Sequence, residues 1–308
     1  MTFRRISGIL LLLLGALCSV HPAYWTTQAS SGDAELNLLS FNIRYGSAKD
    51  GTNSWMLRKG FVVQLIKDTG AGIVGLQEAL RFQIDEIRSS LSSFDEVGVG
   101  RDDGDIEGEY SALIYDTTRF RVEDQSTFWY SDTPEIPGSK NWGNTITRIC
   151  TWARFRDLRA GNEFYVYNTH FDHRSQPSRE RSAILLQERI ASRQTKDPVI
   201  VMGDFNAGEN NPAIRFLTRG TAIQVEEGSI TPTLILFDTF RRIHPGAKPV
   251  GTFNGFEGRS DGEKIDYILA SPDVEVLDAG IRRDHFGGRY PSDHFAVSAI
   301  VRLVQGAN

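Results

Sequence analysis

Six short polar segments, each at the end of an apolar run or inside one, carry the side chains that could do chemistry in this sequence. They are Asn42 in LLSFN, Glu78 in IVGLQE, His170, Asp172 and His173 in YVYNTHFDH, Asp204 and Asn206 in VIVMGDFN, Asp266 in GEKIDYIL, and Asp293 and His294 in YPSDHFAV. Each residue alone has an ordinary explanation, because Asn and Asp favour turns. Hard divalent cations prefer carboxylate and amide oxygens. The set therefore indicates one site able to hold a metal ion or a phosphate group.

Asp266 is the member that a turn does not explain. It lies between Ile265 and the apolar run Tyr267-Ile268-Leu269. A carboxylate in that setting should be partly buried, and burial of an unpaired carboxylate is costly. The sequence therefore predicts that Asp266 has a partner.

The apolar runs predict the elements that carry these segments. Strands are expected near 36–41, 73–76, 94–99, 111–115, 151–155, 164–168, 199–202, 264–270, 274–281 and 295–302, and helices near 55–68, 82–92, 178–194 and 211–219. The Pro- and Gly-punctuated segment 131–147 is expected to be a long loop. Strands outnumber helices, and several strands are consecutive. This order favours an α+β or mixed-sheet sandwich over a regular βαβ winding.

The motifs FNIR, QE, NTHFDH, GDFN, IDYI and SDH occur in this order between about residues 36 and 302. The series resembles that of the endonuclease/exonuclease/phosphatase superfamily. The segment FWYSDTPEIPGS resembles sequences of the bacterial extracytoplasmic metal-dependent hydrolase branch of this superfamily. The resemblance implies a four-layered αββα sandwich of two packed mixed β-sheets flanked by helices. It also implies hydrolysis of a phosphoester with Mg²⁺ or Mn²⁺.

The same resemblance assigns roles to single residues. It implies that Glu78 is the main metal ligand, with Asn42 beside it and Asp293 as a further metal or water contact. It also implies five catalytic residues. Asp204 and Asn206 would position the attacking water and the phosphate, His294 would face the phosphate and be oriented by Asp266, and His170 would be a second site histidine.

Residues near these motifs bear on the substrate. Arg148 could bind a substrate phosphate, although a surface salt bridge is the other interpretation. Asp172 and His173 could support the residues of the site, or they could be ordinary polar residues of a loop. NTHFDH lacks the His-x-x-Pro of deoxyribonuclease relatives, which puts the nuclease subgroup in doubt. The net charge of -5 indicates no strongly basic face for coating nucleic acid.

Three functions are compatible with these residues. A secreted phosphoesterase acting on a phosphodiester, by metal-assisted in-line attack of water, is favoured. Its substrate could be a small molecule, a lipid headgroup or a nucleic acid. A non-catalytic binding module on the same fold and a hydrolase of another class, such as a glycosidase, are the alternatives. No obligate protein partner is evident, and a monomer is expected.

The N-terminus predicts export to the periplasm or the extracellular space. Arg4 and Arg5 precede an apolar run from Ile9 to Leu17 that is short for a membrane span. Residues 1–29 are therefore interpreted as a signal peptide and lead-in, and residues 30–308 as one domain. An uncleaved anchor and lipidation at Cys18 are the alternatives. Cys150 would then be the one cysteine left, so an internal disulfide is not expected.

Overall fold

The computed structural model describes residues 1–2, 35–226 and 228–304. Apart from its first two residues, the predicted signal peptide lies outside the described residues. The strands are β1 (Glu35–Asn42), β2 (Ile73–Ala79), β3 (Phe94–Val97), β4 (Tyr110–Asp116), β5 (Phe120–Trp129), β6 (Ile149–Asp157), β7 (Glu163–His170), β8 (Val199–Asp204), β9 (Ile223–Val225), β10 (Gly228–Ile230), β11 (Phe237–Asp238), β12 (Asp266–Ala270), β13 (Val274–Arg282) and β14 (Ala296–Leu303). The helices are α1 (Trp55–Thr69), α2 (Arg81–Ser89), α3 (Gln176–Ala191), α4 (Pro212–Arg219) and α5 (Thr239–Ile243). None of the described helices has the length and hydropathy that crossing a membrane would take.

Two six-stranded sheets form the centre of the fold. The first has the strand order β13-β14-β1-β2-β4-β3, and the second has the order β11-β12-β8-β7-β6-β5. In each sheet the two middle strands that carry site residues are parallel, β1 with β2 and β7 with β8. Helices α1 and α2 pack on the outer face of the first sheet, and α3 and α4 on that of the second. The predicted four-layered αββα sandwich is confirmed.

The alternation of side chains along each strand divides the core into three apolar layers. In β8, Val199 and Val201 pack under the helices of the second sheet, whereas Ile200 and Met202 point into the space between the sheets. Successive side chains of a strand point to opposite faces, so a strand covered on both faces must be apolar throughout. This explains why VIVM has no alternating pattern.

A buried polar bridge joins the two sheets close to their site-bearing edge. The Asn168 side chain on β7 donates to the main-chain oxygens of Leu76 at 2.9 Å and Ala112 at 2.7 Å, both in the first sheet. Gln77 donates to the Asn168 Oδ1 atom at 2.6 Å. Gly75 permits this close approach, because a Cβ atom there would lie 2.9 Å from Asn168 Cγ. The bridge fixes the position of β2 relative to β7.

The largest element that the sequence did not predict is β5. It lies at the edge of the second sheet, and its central residues are exposed or half-buried. An edge strand with a solvated face lacks the apolar run that marks a central strand. The short elements β9, β10, β11 and α5 were also not predicted. The segment 131–147 is free of regular secondary structure, as predicted.

Gly203, the first residue of the GDFN motif, lies on β8 where it pairs closely with β7. Its φ angle is +150°, and a Cβ atom there would lie 2.1 Å from the main-chain oxygen of Thr169. Gly203→Ala is expected to lower the free energy of unfolding by about 2 kcal/mol or more, because backbone atoms must move apart. Urea denaturation of the purified variant measures this loss.

Gly60 in α1 is the matched control. A Cβ atom at Gly60 would have no heavy atom within 4 Å. Gly60→Ala is expected to raise the free energy of unfolding by about 0.5–1 kcal/mol, because alanine favours the helix. Equal stability of Gly203→Ala and the parent protein would contradict the tight fit at β8.

Candidate active site

Strand direction brings the six polar segments to one edge of the sandwich. The carboxyl ends of β1, β2, β7 and β8 lie at this edge, and β12 and β14 begin there because they run antiparallel to their neighbours. The edge holds a cleft of about 610 Å³. The predicted site residues that line it are Glu78, Arg148, His170, Asp204, Asn206, Asp293 and His294. Asn42 and Asp266 bond to these residues from behind.

Three residues around the cleft have left-handed backbone conformations that are unusual outside glycine. They are Arg44 with φ 56°, Glu78 with φ 58° and Asn206 with φ 48°. The β2–β4 pairing also shifts register between Leu76 and Ala79, next to Glu78. A bulge of this kind re-aims a side chain, and such strain persists only where the surrounding structure holds it. The backbone is thus bent to direct Glu78 and Asn206 into the cleft.

Asn42 links the two sheets at the base of the site. Its Nδ2 atom donates to Glu78 Oε1 at 3.2 Å and to Asp204 Oδ2 at 3.0 Å, while its Oδ1 atom accepts from the Arg44 main-chain nitrogen at 3.0 Å. The Ser292 hydroxyl donates to the Asn42 main-chain oxygen at 2.7 Å. Asn42 therefore presents its amide nitrogen to two carboxylates. Its oxygen is turned towards the Arg44 nitrogen rather than the two carboxylates, and its role as a metal ligand stays a prediction.

Arg44 provides positive charge to the carboxylates on one wall. Its guanidinium lies 4.0 Å from Glu78 Oε2 and 3.8 Å from Asp293 Oδ2, and it makes two 3.1 Å hydrogen bonds to Asp50. The Tyr45 main-chain nitrogen donates to Glu78 Oε2 at 3.1 Å. Sequence reasoning did not select Arg44, although it is the last residue of the FNIR motif. Glu78 and Asp293 thus face the same guanidinium.

Asp266 has the partner that its apolar surroundings require. The His294 Nδ1 atom lies 2.9 Å from Asp266 Oδ2, and His294 Nε2 lies 3.9 Å from Asp204 Oδ2. Burial opposes a charge on His294, but Asp266, Asp204 and Asp293 outweigh it and hold the pKa of the imidazole well above its usual range. Burial, reinforced by the charge of Asp266, raises the pKa of Asp204 to about 7. The result is a cationic imidazole beside a carboxylate that can take up a proton near neutral pH.

His170 is the second site histidine and differs electrostatically from His294. Asn206 Nδ2 lies 3.0 Å from His170 Nε2, and Asp204 Oδ2 lies 3.5 Å from the same nitrogen. Burial, together with the nearby charge of Arg148, lowers the pKa of His170 well below its usual range. A neutral His170 that accepts a hydrogen bond from the Asn206 amide at Nε2 fixes the orientation of that amide.

The structure gives the surroundings of Arg148, Asp172 and His173, whose roles the sequence left open. Arg148 is only 4% exposed and lines the cleft, so it is not a surface salt bridge. It contacts His173 Nδ1 at 2.9 Å, and its Nε atom lies 3.6 Å from Asp172 Oδ2. The other Asp172 oxygen accepts from two main-chain nitrogens, those of Arg174 and Ser175. Asp172 and His173 therefore support the cleft wall.

Sequence reasoning also missed several residues that shape the cleft. Arg101 pairs with Glu109 on one wall, and Phe253 packs edge-on against the His294 ring with the centroids 5.2 Å apart. Arg58 lies behind the cleft and donates to the main-chain oxygens of Ile43, Arg44, Asn53 and Pro291. Their contacts form between loops or with main-chain oxygens, so residue type and spacing carried no signal for them.

The donor set fits a hard divalent cation. Asp204, Asp266 and His294 each offer one ligand atom within 4.8 Å of the others. The Asp266 and His294 atoms are already hydrogen-bonded to each other, and a protonated imidazole does not bind a metal. The oxygens of Glu78 and Asp293 lie on the adjacent wall and face a cation, Arg44. The chemistry of this wall suits an ion bound by one or two carboxylates.

Comparisons with known proteins identify the family of this chain. Residues 39–294 match the family model described as the Endonuclease/Exonuclease/phosphatase family. A solved family member from Bacteroides vulgatus shares 34% identity over 87% of this chain and 99% of that chain, with a TM-score of 0.78. A mannosyl-6-phosphatase from Bacteroides thetaiotaomicron shares 31% identity over 86% of this chain and 99% of that chain, with a TM-score of 0.75.

A curated relative is more distant. An uncharacterised protein of Acanthamoeba polyphaga mimivirus is 26% identical over 163 residues, which cover 50% of this chain and 60% of that protein. The matching family model covers most of the chain and includes all six polar segments of the cleft. The chain therefore belongs to the endonuclease/exonuclease/phosphatase family.

Proposed function

We propose that this protein hydrolyses a phosphoester with the help of Mg²⁺ or Mn²⁺. One observation carries the proposal. The hydrogen-bonded pair Asp266–His294 and the carboxylate of Asp204 lie in the same cleft as the oxygen ligands Glu78 and Asp293. A cationic imidazole, a carboxylate base and an oxygen-rich metal wall are the groups that attack of water on an anionic phosphorus needs.

Glu78 would hold the ion, with Asp293 and Asn42 beside it. When bound, the ion would supply positive charge next to the phosphoryl oxygens. Arg44 would keep the two carboxylates in place from the protein side, because its guanidinium is itself fixed by Asp50. The residues Glu78 and Asp293 would thus share the charge of the ion with that of Arg44.

The protein's own groups would move the protons. Asp204 accepts a proton from the attacking water, whose oxygen forms the new bond to phosphorus. As the bond from phosphorus to the ester oxygen breaks, His294 stabilises the charge that develops and can donate a proton to the leaving oxygen. Asn206, fixed by His170 and by the main-chain oxygen of Phe171, orients the phosphoryl group. These roles match general acid–base catalysis by groups with pKa values pushed apart.

The mannosyl-6-phosphatase at 31% identity supports hydrolysis of a phosphoester as the reaction class. Export, a monomeric state and the absence of an obligate protein partner stay predictions from the sequence. A glycosidase is less favoured, because Asp266 is buried and hydrogen-bonded to His294 and so does not face the cleft as a free carboxylate.

A substrate panel tests the proposed function. Bis-p-nitrophenyl phosphate, p-nitrophenyl phosphate, DNA, RNA, sphingomyelin and sugar phosphates are each assayed with Mg²⁺, Mn²⁺ or EDTA. Hydrolysis of at least one phosphoester that EDTA abolishes and metal restores is expected. Binding without turnover of any of them would favour the non-catalytic module instead.

Glu78→Gln is expected to weaken the affinity for Mn²⁺ at least about 10-fold, because it removes the formal charge at the proposed main ligand. Isothermal titration with Mn²⁺ measures the affinity without relying on turnover. Glu275→Gln is the matched control, since Glu275 pairs with Arg302 on the surface, away from the cleft. Unchanged Mn²⁺ affinity in Glu78→Gln would place the metal elsewhere.

Asp266→Asn is expected to lower kcat by about 100-fold, because the imidazole of His294 loses its counter-charge and its fixed orientation. His294→Ala should lower kcat at least as much. The double variant should be little worse than the worse single variant, since coupled groups act as a unit. Steady-state kinetics on the best substrate of the panel measures all three.

Asp273→Asn is the control for this double-mutant cycle and should keep the kcat of the parent protein. Asp273 follows the end of β12 that is far from the cleft. Asp273 accepts a hydrogen bond from Ser271 and lies away from the cleft. Multiplicative losses in the double variant would show that Asp266 and His294 act independently.

A further inference from the structure

A cluster of charged side chains adjoins the cleft at the start of β12, and its centre is Lys264. In the sequence Lys264 stands between Glu263 and Ile265, which both line the cleft. The Lys264 side chain itself is fully buried. Its ammonium nitrogen lies 2.7 Å from Asp238 Oδ2 and 4.0 Å from Glu209 Oε1. The ammonium group therefore faces protein carboxylates and is closed to solvent.

The other members of the cluster belong to different elements. Glu209 lies in the loop after β8 and accepts two hydrogen bonds from Arg241 of α5, at 2.6 and 2.9 Å. Asp238 is the residue before α5, and its other carboxylate oxygen accepts from the main-chain nitrogen of Phe240 at 3.0 Å. Two carboxylates and two cations thus balance each other. Lys264 is the member that joins this cluster to the start of β12.

Tyr267 connects the same segments through its ring and its hydroxyl group. The Lys264 ammonium lies 3.2 Å from the centre of the ring, where a cation is attracted to the π face. The hydroxyl oxygen lies 2.9 Å from the main-chain oxygen of Ala207 and 2.7 Å from that of Lys264. These contacts hold the loop after β8 against the segment before β12.

The segment that Lys264 holds leads directly to a residue of the proposed mechanism. Asp266 follows Lys264 by two residues and pairs with Asp204 in the register of β12 and β8. Its carboxylate lies 2.9 Å from the His294 Nδ1 atom. Hydrogen bonds weaken steeply as their geometry worsens, so a small displacement of this segment would loosen the imidazole.

The charge of Lys264 cannot be removed without leaving a carboxylate unpaired. Burial lowers the pKa of the ammonium group, whereas Asp238 and Glu209 act in the opposite direction. A neutral residue in place of Lys264 would deprive Asp238, whose side chain is only 10% exposed, of its nearest cation. An uncompensated buried charge is strongly destabilising unless the chain around it moves. The start of β12 is part of that surrounding chain.

We propose that Lys264 is a positioning residue for catalysis: its ion pair with Asp238 fixes the start of β12, and thereby the Asp266 carboxylate that orients His294. The proposal rests on the roles proposed above for Asp266 and His294. Lys264 does not touch the substrate in this scheme. Its effect on turnover therefore passes through Asp266.

Substitution by a neutral side chain of similar length tests this role. Lys264→Met is expected to lower kcat by about 10-fold or more and to change KM by less than about 3-fold, because a misplaced catalytic group affects the transition state more than substrate binding. Lys59→Met is the matched control and should keep the kcat of the parent protein. Lys59 of α1 pairs with Glu86 of α2 at 2.9 Å. An unchanged kcat in Lys264→Met would overturn the proposal.

A double-mutant cycle tests whether Lys264 acts through Asp266. Lys264→Met is combined with Asp266→Asn, which removes the carboxylate that Lys264 is proposed to position. The added loss in kcat is expected to be less than about 3-fold, because residues that act as a unit are not additive. If the two substitutions instead lower kcat by the product of their separate effects, Lys264 does not act through Asp266 and the proposal is wrong.

A charge-balanced variant separates positioning from stability. Lys264→Met should lower the Tm, because Asp238 loses its cation. The variant Lys264→Met/Asp238→Asn removes both charges, and asparagine still caps α5. It should recover most of the lost Tm but not the lost kcat, and it replaces Lys264→Met in every test if that variant does not fold. Recovery of the Tm and the kcat together would show a role in stability alone and would overturn the proposal.

NMR of protein isotopically labelled in its histidine nitrogens gives a readout that is independent of turnover. The Nδ1 signal of His294, assigned by its absence from His294→Ala, should shift in both Lys264 variants and stay in place in Lys59→Met. The affinity for Mn²⁺ should be unchanged in these variants, because Glu78 lies on the other sheet.

The outcomes distinguish the two proposals. A His294 signal at the parent position in both Lys264 variants would overturn the positioning role while leaving the phosphoesterase function intact. A parent protein that hydrolyses no phosphoester of the panel would instead overturn the proposed function.

Discussion

The site depends on one constraint: the ends of strands from two different sheets must meet within hydrogen-bond distance. The hydrogen bond from Asn42 at the end of β1 to Asp204 at the end of β8, at 3.0 Å, is where they meet. Asn168 and Gln77 join the same sheets one layer deeper. Because both contacts are buried and polar, slippage of one sheet over the other would leave unpaired donors, which is costly. Strand packing thus sets the distance between Glu78 on the first sheet and Asp204 on the second.

The second organising feature is the pairing of buried charge. Glu78, Asp204, Asp266 and Asp293 crowd one cleft, and the charges that offset them come from His294 and Arg44. Each of these cations is in turn fixed by a carboxylate behind it: Asp266 fixes the imidazole of His294, and Asp50 fixes the guanidinium of Arg44. On the opposite wall Arg101 pairs with Glu109, and Arg148 contacts His173 and lies 3.6 Å from Asp172. A cleft with acids on one wall and arginines on the other suits a metal ion and an anionic substrate together.

Much of this arrangement could be predicted from the sequence, because the signals are local. Apolar runs locate the central strands. An acid inside such a run, Asp266, indicates that it has a buried partner. The edge strand β5 was not predicted, because its exposed residues do not form an apolar run. The sequence did not identify three further cleft residues, Arg44, Arg101 and Glu109, for another reason. Their roles come from side-chain pairs formed across loops, and residue types alone do not distinguish a paired surface arginine from a buried one such as Arg148.

The backbone shows how the fold bears the strain of this site. Glu78 and Asn206 are held in left-handed conformations, and such residues each cost of order 1–3 kcal/mol unless their surroundings hold them there. The hydrogen bonds of Asn206 to His170 and to the Phe171 oxygen, and of Glu78 to the Tyr45 nitrogen, hold both residues in place. Arg58 adds a clamp that ties the loop after β1 to the Pro291 oxygen, next to the SDH segment. The side chains of the cleft are therefore positioned by contacts from several loops, so a change in any of these loops would alter the geometry of the cleft without substituting a residue that lines it.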